Sequence, residues 1–179
     1  MNGGDSLFLR TATSLDKAIY LASVVAALGS ILAMFVALLL EVVVRYATNS
    51  GLGWPTELPN LLFPWLVMSG VVLAAQRGQH IAVTALLGIL GPLSTRILLI
   101  VLQLILLVVF VYLADVGLRV IEVTGSETFP VTRVSAKWAY LALIAGFVGV
   151  ALTALTTIVQ LIFAGDPSAV RAHKAEEDI

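Results

Sequence analysis

Four long apolar runs decide what this chain can become. They occupy residues 19–44, 58–76, 97–117 and 138–164. About 20 helical residues cross the roughly 30 Å hydrocarbon core of a bilayer, and each run is near that length or beyond it. Backbone in lipid must satisfy its own hydrogen bonds, which leaves helices or closed β-barrels. Barrel strands alternate in polarity with period two, and these runs do not. The expected fold is therefore an all-α integral membrane protein with four transmembrane helices in a single domain, 1–179. Composition agrees: 60% of residues are hydrophobic and 12% charged, against roughly 45–50% and 25% in soluble domains.

The first run follows a polar stretch, MNGGDSLFLRTATSLDK. At 26 residues it is too long for a signal-peptide core, so a retained span is expected, tilted or projecting from the hydrocarbon. No lipid-anchor motif accompanies it. The second run holds Pro59, suited to a first helical turn, and Pro64, expected to kink the helix. Within the third, Ile97–Ala114 is the cleanest stretch, an unbroken Leu/Val/Ile run apart from Gln103.

Between the runs, residues 45–57 carry Asn49, Ser50, Gly51, Gly53 and Pro55 and read as turns. Residues 76–96 contain HIAVTALLGIL, too short to cross, and predict a short interfacial helix between helices two and three. Residues 115–137 continue helix three in polar form and end as an exposed loop. The polar tail 166–179 is expected to fray, and to end the chain without a fused permease. No internal repeat is visible.

Net charge is −1 and cysteine is absent. A nucleic-acid partner has no electrostatic footprint here. Thiolate nucleophiles, Cys-ligated metals and disulfides are excluded together. The lysine and arginine bias sets orientation. With the N-terminus inside, Arg10, Lys17, Arg77, Arg96, Arg171 and Lys174 lie inside and Arg45, Arg119, Arg133 and Lys137 outside. Six against four places both termini in the cytoplasm.

The polar residues near the spans offer little chemistry. Glu41 and Arg45, and likewise Asp115 and Arg119, are four apart at helix ends and share a face. Ion pairs anchoring the helix ends are the expected role; a proton- or ion-coupling site is the alternative, since an intramembrane acid is a functional candidate. His80 and His173 are the two histidines, and His173 lies in the tail, so a bis-histidine haem site is excluded. His80 is expected to be an interfacial hydrogen-bonding group.

Small residues run at four-residue spacing along two helices, as Gly29/Ala33/Ala37 and Ala145/Gly149/Thr153. They suit either internal packing or docking to another membrane subunit. Trp54, Trp65, Trp138 and Tyr140 lie near span ends, as aromatic belts do. No nucleophile elbow, phosphate loop or zinc-protease motif is present, so neither an enzyme nor a cofactor is expected.

The stretch VRYATNSGLGWPTELPNLLFPWLVMSGVVLAAQRGQHIAV resembles the small, DctQ-type membrane subunit of tripartite ATP-independent periplasmic (TRAP) transporters. Arg45-Tyr46 takes the place of the arginine–aromatic pair closing helix one. Trp54, Glu57 and Leu58 take the Trp-x-Glu-Glu-Leu positions, with Thr56 replacing the first acid. Trp65 and Gly70 follow in helix two, then Arg77-Gly78 and His80-Ile81 in the Arg-x-Gly-x-His-Ile element.

The resemblance implies a prokaryotic inner-membrane subunit scaffolding a large, DctM-type membrane subunit that carries substrate and sodium sites. A DctP-type periplasmic binding protein would deliver the solute, often a carboxylate such as a dicarboxylate or sialic acid. Membrane lipids would surround the rest. It further implies a helix stop at Arg77, Gly78 and His80 that orients the interfacial segment, and an Arg45–Glu57 contact across the short loop. An autonomous proton-coupled exporter using Glu41, or a redox-complex anchor, is the alternative reading.

Overall fold

The computed structural model describes residues 3–77 and 91–163. The expected interfacial helix, with Gly78, His80 and Ile81, and the tail 166–179 lie outside these residues. Four helices account for nearly all of what is described: α1, Gly3–Thr48; α2, Leu58–Arg77; α3, Pro92–Thr124; and α4, Lys137–Phe163. A 3-10 turn at Trp54–Thr56 precedes α2. All four helices are long and apolar enough to cross a membrane.

α1 is longer than its apolar run. Its 46 residues span about 69 Å at 1.5 Å per residue, over twice the hydrocarbon thickness. The polar stretch before residue 19 is helical too, because one face of it is inward. From residue 9 onward, Ala12, Asp16, Ser23, Ser30, Ala37 and Glu41 are the buried positions of α1. Four of them, 16, 23, 30 and 37, are seven apart, so a straight seam of small and polar side chains faces the neighbouring helices. Large apolar residues such as Leu21, Leu32, Phe35 and Val43 cover the outward faces.

α2 carries Pro64 in its interior as one uninterrupted helix. It packs against both α1 and α4. The approach to α4 is close because that helix offers glycine: a Cβ at Gly149 would meet Val72 at 2.8 Å, and one at Gly146 would overlap Met68. In lipid, where no hydrophobic force draws helices together, such close backbone contact supplies the attraction. Of the expected stripe on α4, Gly149 and Thr153 turn inward while Ala145 is exposed. Of the stripe on α1, Ala37 is buried while Gly29 and Ala33 are exposed.

The helices do not close into a symmetric bundle. α1, α2 and α4 form a three-helix cluster, and α3 rests on α4 without a comparable seam to α1 or α2. In α4, 44% of the most apolar stretch is buried; in α3 the figure is 0%. An edge-to-face pair, Phe110 on Phe147 with centroids 5.9 Å apart, marks the α3–α4 seam. Where α1 and α4 diverge beside α2, Ala22, Ala26, Ser23, Ser69 and Ala145 border a groove of about 350 Å³.

Candidate functional site

The polar side chains gather at the two ends of the helices, in three nodes each built around a buried carboxylate. Asp16, Glu41 and Glu57 are all under 9% exposed. Burying a carboxylate in a membrane protein is costly unless hydrogen bonds replace its water.

Glu41 sits about two turns before the end of α1, which closes at Thr48. Its Oε1 accepts from Arg45 Nη2 at 2.8 Å and its Oε2 accepts from the Leu52 backbone N–H at 2.9 Å. The acid thus folds the following loop back over the helix end. Gly51 makes this possible, since a Cβ there would lie 2.5 Å from Glu41 Oε1. Arg45 remains largely exposed, as expected of a cation near the negative end of a helix. Tyr46 beside it faces outward.

Glu57 lies just before α2 and is held by the distant α3–α4 connection. Oε1 accepts from the Val131 N–H at 2.8 Å; Oε2 accepts from the Thr132 N–H and the Thr132 hydroxyl, each at 2.8 Å. The connection presents these donors because it doubles back on itself. Phe129 N–H donates to Val134 O at 2.9 Å, Ala136 N–H to Glu127 O at 2.9 Å, and Thr128 bridges Ser135. Arg133 takes a left-handed conformation with φ 57° to close the turn. The expected Arg45–Glu57 contact is not formed: Arg45 pairs with Glu41, and both oxygens of Glu57 go to residues 131 and 132. The local partner one turn away is nearer to Arg45 than an acid beyond the loop.

Thr56, standing where the family pattern has an acid, donates its hydroxyl to Gly53 O at 2.6 Å and so stiffens the 3-10 turn. Trp54 on that turn is partly exposed, and Pro55 is buried. Trp65, one helix further, donates its indole N–H to Trp138 O at 3.0 Å, tying α2 to the start of α4. Gly70 is exposed, with open space around it. Arg77 ends α2 and is exposed. Asp115 and Arg119 pair on the outer surface of α3. With both partners exposed, that pair contributes only about 0.3–0.5 kcal/mol.

The third node lies at the opposite end of the helices and went unread in the sequence. Gln76 Nε2 donates to the Asp16 backbone O at 3.0 Å and to Asp16 Oδ1 at 3.3 Å; the Thr156 hydroxyl also meets Oδ1, at 3.3 Å. One acid thereby joins α1, α2 and α4. Asp16 looks in the sequence like part of a solvated N-terminal stretch. The signal that finds it is the seven-residue spacing to Ser23, Ser30 and Ala37.

Among the described residues no group of His, Cys, Asp and Glu is placed to hold a metal ion. The carboxylates are separated and each is hydrogen-bonded by the chain itself. The arrangement serves to fix loops and helix ends.

The family profile of the DctQ component of tripartite ATP-independent periplasmic transporters matches residues 34–164. The chain belongs to this family. Its relatives include two proteins of Haemophilus influenzae named as TRAP transporter small permease proteins. One is 27% identical over 75% of this chain and 79% of its own length; the other is 29% identical over 75% and 84%. An uncharacterised protein of Sinorhizobium fredii, y4mM, is 30% identical over 75% of this chain but only 25% of its own length. The DctQ match takes in Glu41, Glu57 and the 125–136 connection, and leaves Asp16 outside it.

Proposed function

We propose that this DctQ-family chain braces a large membrane subunit, which carries the solute and sodium sites, while a periplasmic binding protein delivers a carboxylate-bearing solute. The carrying observation is the use made of the buried acids. Glu41 and Glu57 spend their carboxylates on the chain's own loops, and Asp16 spends its own on neighbouring helices. An autonomous exporter would need an acid released to the solute or proton path, and Glu41 is tied to Arg45 and Leu52 instead.

On this reading the chain is a multi-pass protein of the cytoplasmic membrane with both termini inside. It has no catalytic role, and lipid covers the apolar surface that its partner leaves free. The loops held by Glu41 and Glu57 then lie on the periplasmic side, where the binding protein docks. Deleting the chain from cells that keep the large subunit and binding protein should reduce solute uptake to background, and tagged chain should recover the large subunit from detergent extracts. Unchanged uptake in the deletion strain would contradict the proposal.

A further inference from the structure

The groove between α1 and α4 runs along the helices, not across them. Its α1 wall extends from Ile19 to Ala26, its floor on α2 from Trp65 to Val72, and its α4 wall from Ala142 to Leu152. At 1.5 Å per residue these stretches are about 10, 10 and 15 Å long. Small side chains make the room: Ala22, Ala26 and Ala145 on the two walls, with Ser23, Ser69 and Gly149 deeper. Ala22 and Ala145 are exposed, so the slot opens sideways, away from the three-helix core.

Its level in the bilayer follows from the Asp16 node. Lys17 and Arg77 adjoin Asp16 and Gln76 in sequence and are exposed; as cations at the ends of apolar runs they mark the hydrocarbon edge. Ile19 is three residues beyond Asp16 and Ala26 is ten, so the slot reaches from about 5 Å to about 15 Å past that edge along α1. One leaflet of a roughly 30 Å core is about 15 Å deep. The slot thus begins just inside the polar boundary and ends near the bilayer midplane, where Trp65 spends its indole N–H on Trp138 O. The walls ask for no polar occupant. Ser23 and Ser69 can each turn their hydroxyl to the carbonyl four residues before, as Thr13, Thr48, Thr124 and Thr157 do.

We propose that this slot is a binding site for one acyl chain of a membrane phospholipid from the leaflet on the Asp16 side. Direction, length and lining agree: a lipid tail lies parallel to the helices, spans one leaflet, and needs only carbon around it. Its ester region then lies level with the Asp16–Gln76–Thr156 node. Lipid has no hydrophobic drive to leave bulk lipid. Retention comes from contact on three sides, against one side for a tail on the flat face of α3. The site rests on the membrane placement of the chain and not on its partnership with a large subunit.

Phosphatidylethanolamine carrying a diazirine midway along one acyl chain, added in trace to native membranes that contain the full chain, tests the site. Mass spectrometry of the photolysed protein locates the adducts. Ordinary bilayer contact alone favours α3, where Ile105 and Val108 are exposed and the apolar stretch is 0% buried. The slot predicts adducts at Ala22, Ala26 and Ala145 about threefold or more above those at Ile105 and Val108. Ala145→Phe, which fills the slot from its rim, should bring them down to the α3 level. Leu32→Phe, at an exposed α1 position outside the slot, should leave them as they were. The pattern in the unmodified chain is read without any substitution, so it decides the matter even where Ala145→Phe fails to fold. Adducts no denser in the slot than on α3 would overturn the inference. So would a labelled α3 with an unlabelled slot, the result expected if a protein helix fills it.

Discussion

Glu57 shows how one side chain organises a surface formed by residues far apart in the chain. Its carboxylate collects three donors from residues 131 and 132. Glu57→Ala leaves those donors facing an apolar methyl. Glu57→Gln keeps one acceptor oxygen but turns an amide donor toward them. Trypsin cleavage after Arg133, an exposed residue in the same turn, should therefore accelerate most in the alanine variant and less in the glutamine variant. Equal cleavage in all three proteins would show that the clamp does not hold the turn. Asp16 follows the same logic at the other end. Asp16→Ala should lower stability in detergent by about 1–3 kcal/mol, and Asp16→Asn by much less, because asparagine retains an acceptor for Gln76 and Thr156. Thermal unfolding of the two variants reads this difference. The sequence marks Glu57 through its motif, yet its partners are 74 and 75 residues away, and no local spacing encodes them. The four-residue pairs Glu41–Arg45 and Asp115–Arg119 are legible for the opposite reason: helical geometry alone brings them together.

At the scale of helices, small residues decide which faces meet. The runs identify four helices because they lack the period-two alternation of barrel strands, the other backbone that survives in lipid. Which stripe faces inward is less visible, since glycine and alanine serve either a buried seam or an open face. On α1 the seam is set by the heptad of Asp16, Ser23, Ser30 and Ala37, and the more conspicuous Gly29 and Ala33 turn outward. This separates two substitutions. Gly146→Val drives a branched side chain into Met68 and should cost about 1–3 kcal/mol as α2 and α4 are forced apart. Gly29→Ala meets nothing within 4 Å and should leave the isolated chain as stable as before, or slightly more so. Unfolding temperatures of the two purified variants check the contrast. The helical start of α1 is the other surprise at this scale: residues before 19 continue the helix because Ala12 and Asp16 extend its buried face.

Among the described residues the molecule is an open assembly: three helices pack together and the fourth is carried mainly on one neighbour. Such a form exposes much helix surface while locking its loops, as suits a brace against a moving neighbour. Its proposed orientation is directly testable because the chain has no cysteine. A membrane-impermeant thiol reagent applied to intact inner-membrane spheroplasts should label Ser126→Cys and spare Ser14→Cys, both at exposed positions. The reverse pattern would place the termini outside. The central claim is that the chain supports transport without performing it. Purified chain reconstituted alone into liposomes should show no solute flux above protein-free vesicles under an imposed sodium or proton gradient, and flux should arise once the large subunit and loaded binding protein are added. Gradient-driven uptake by the chain alone would contradict the account.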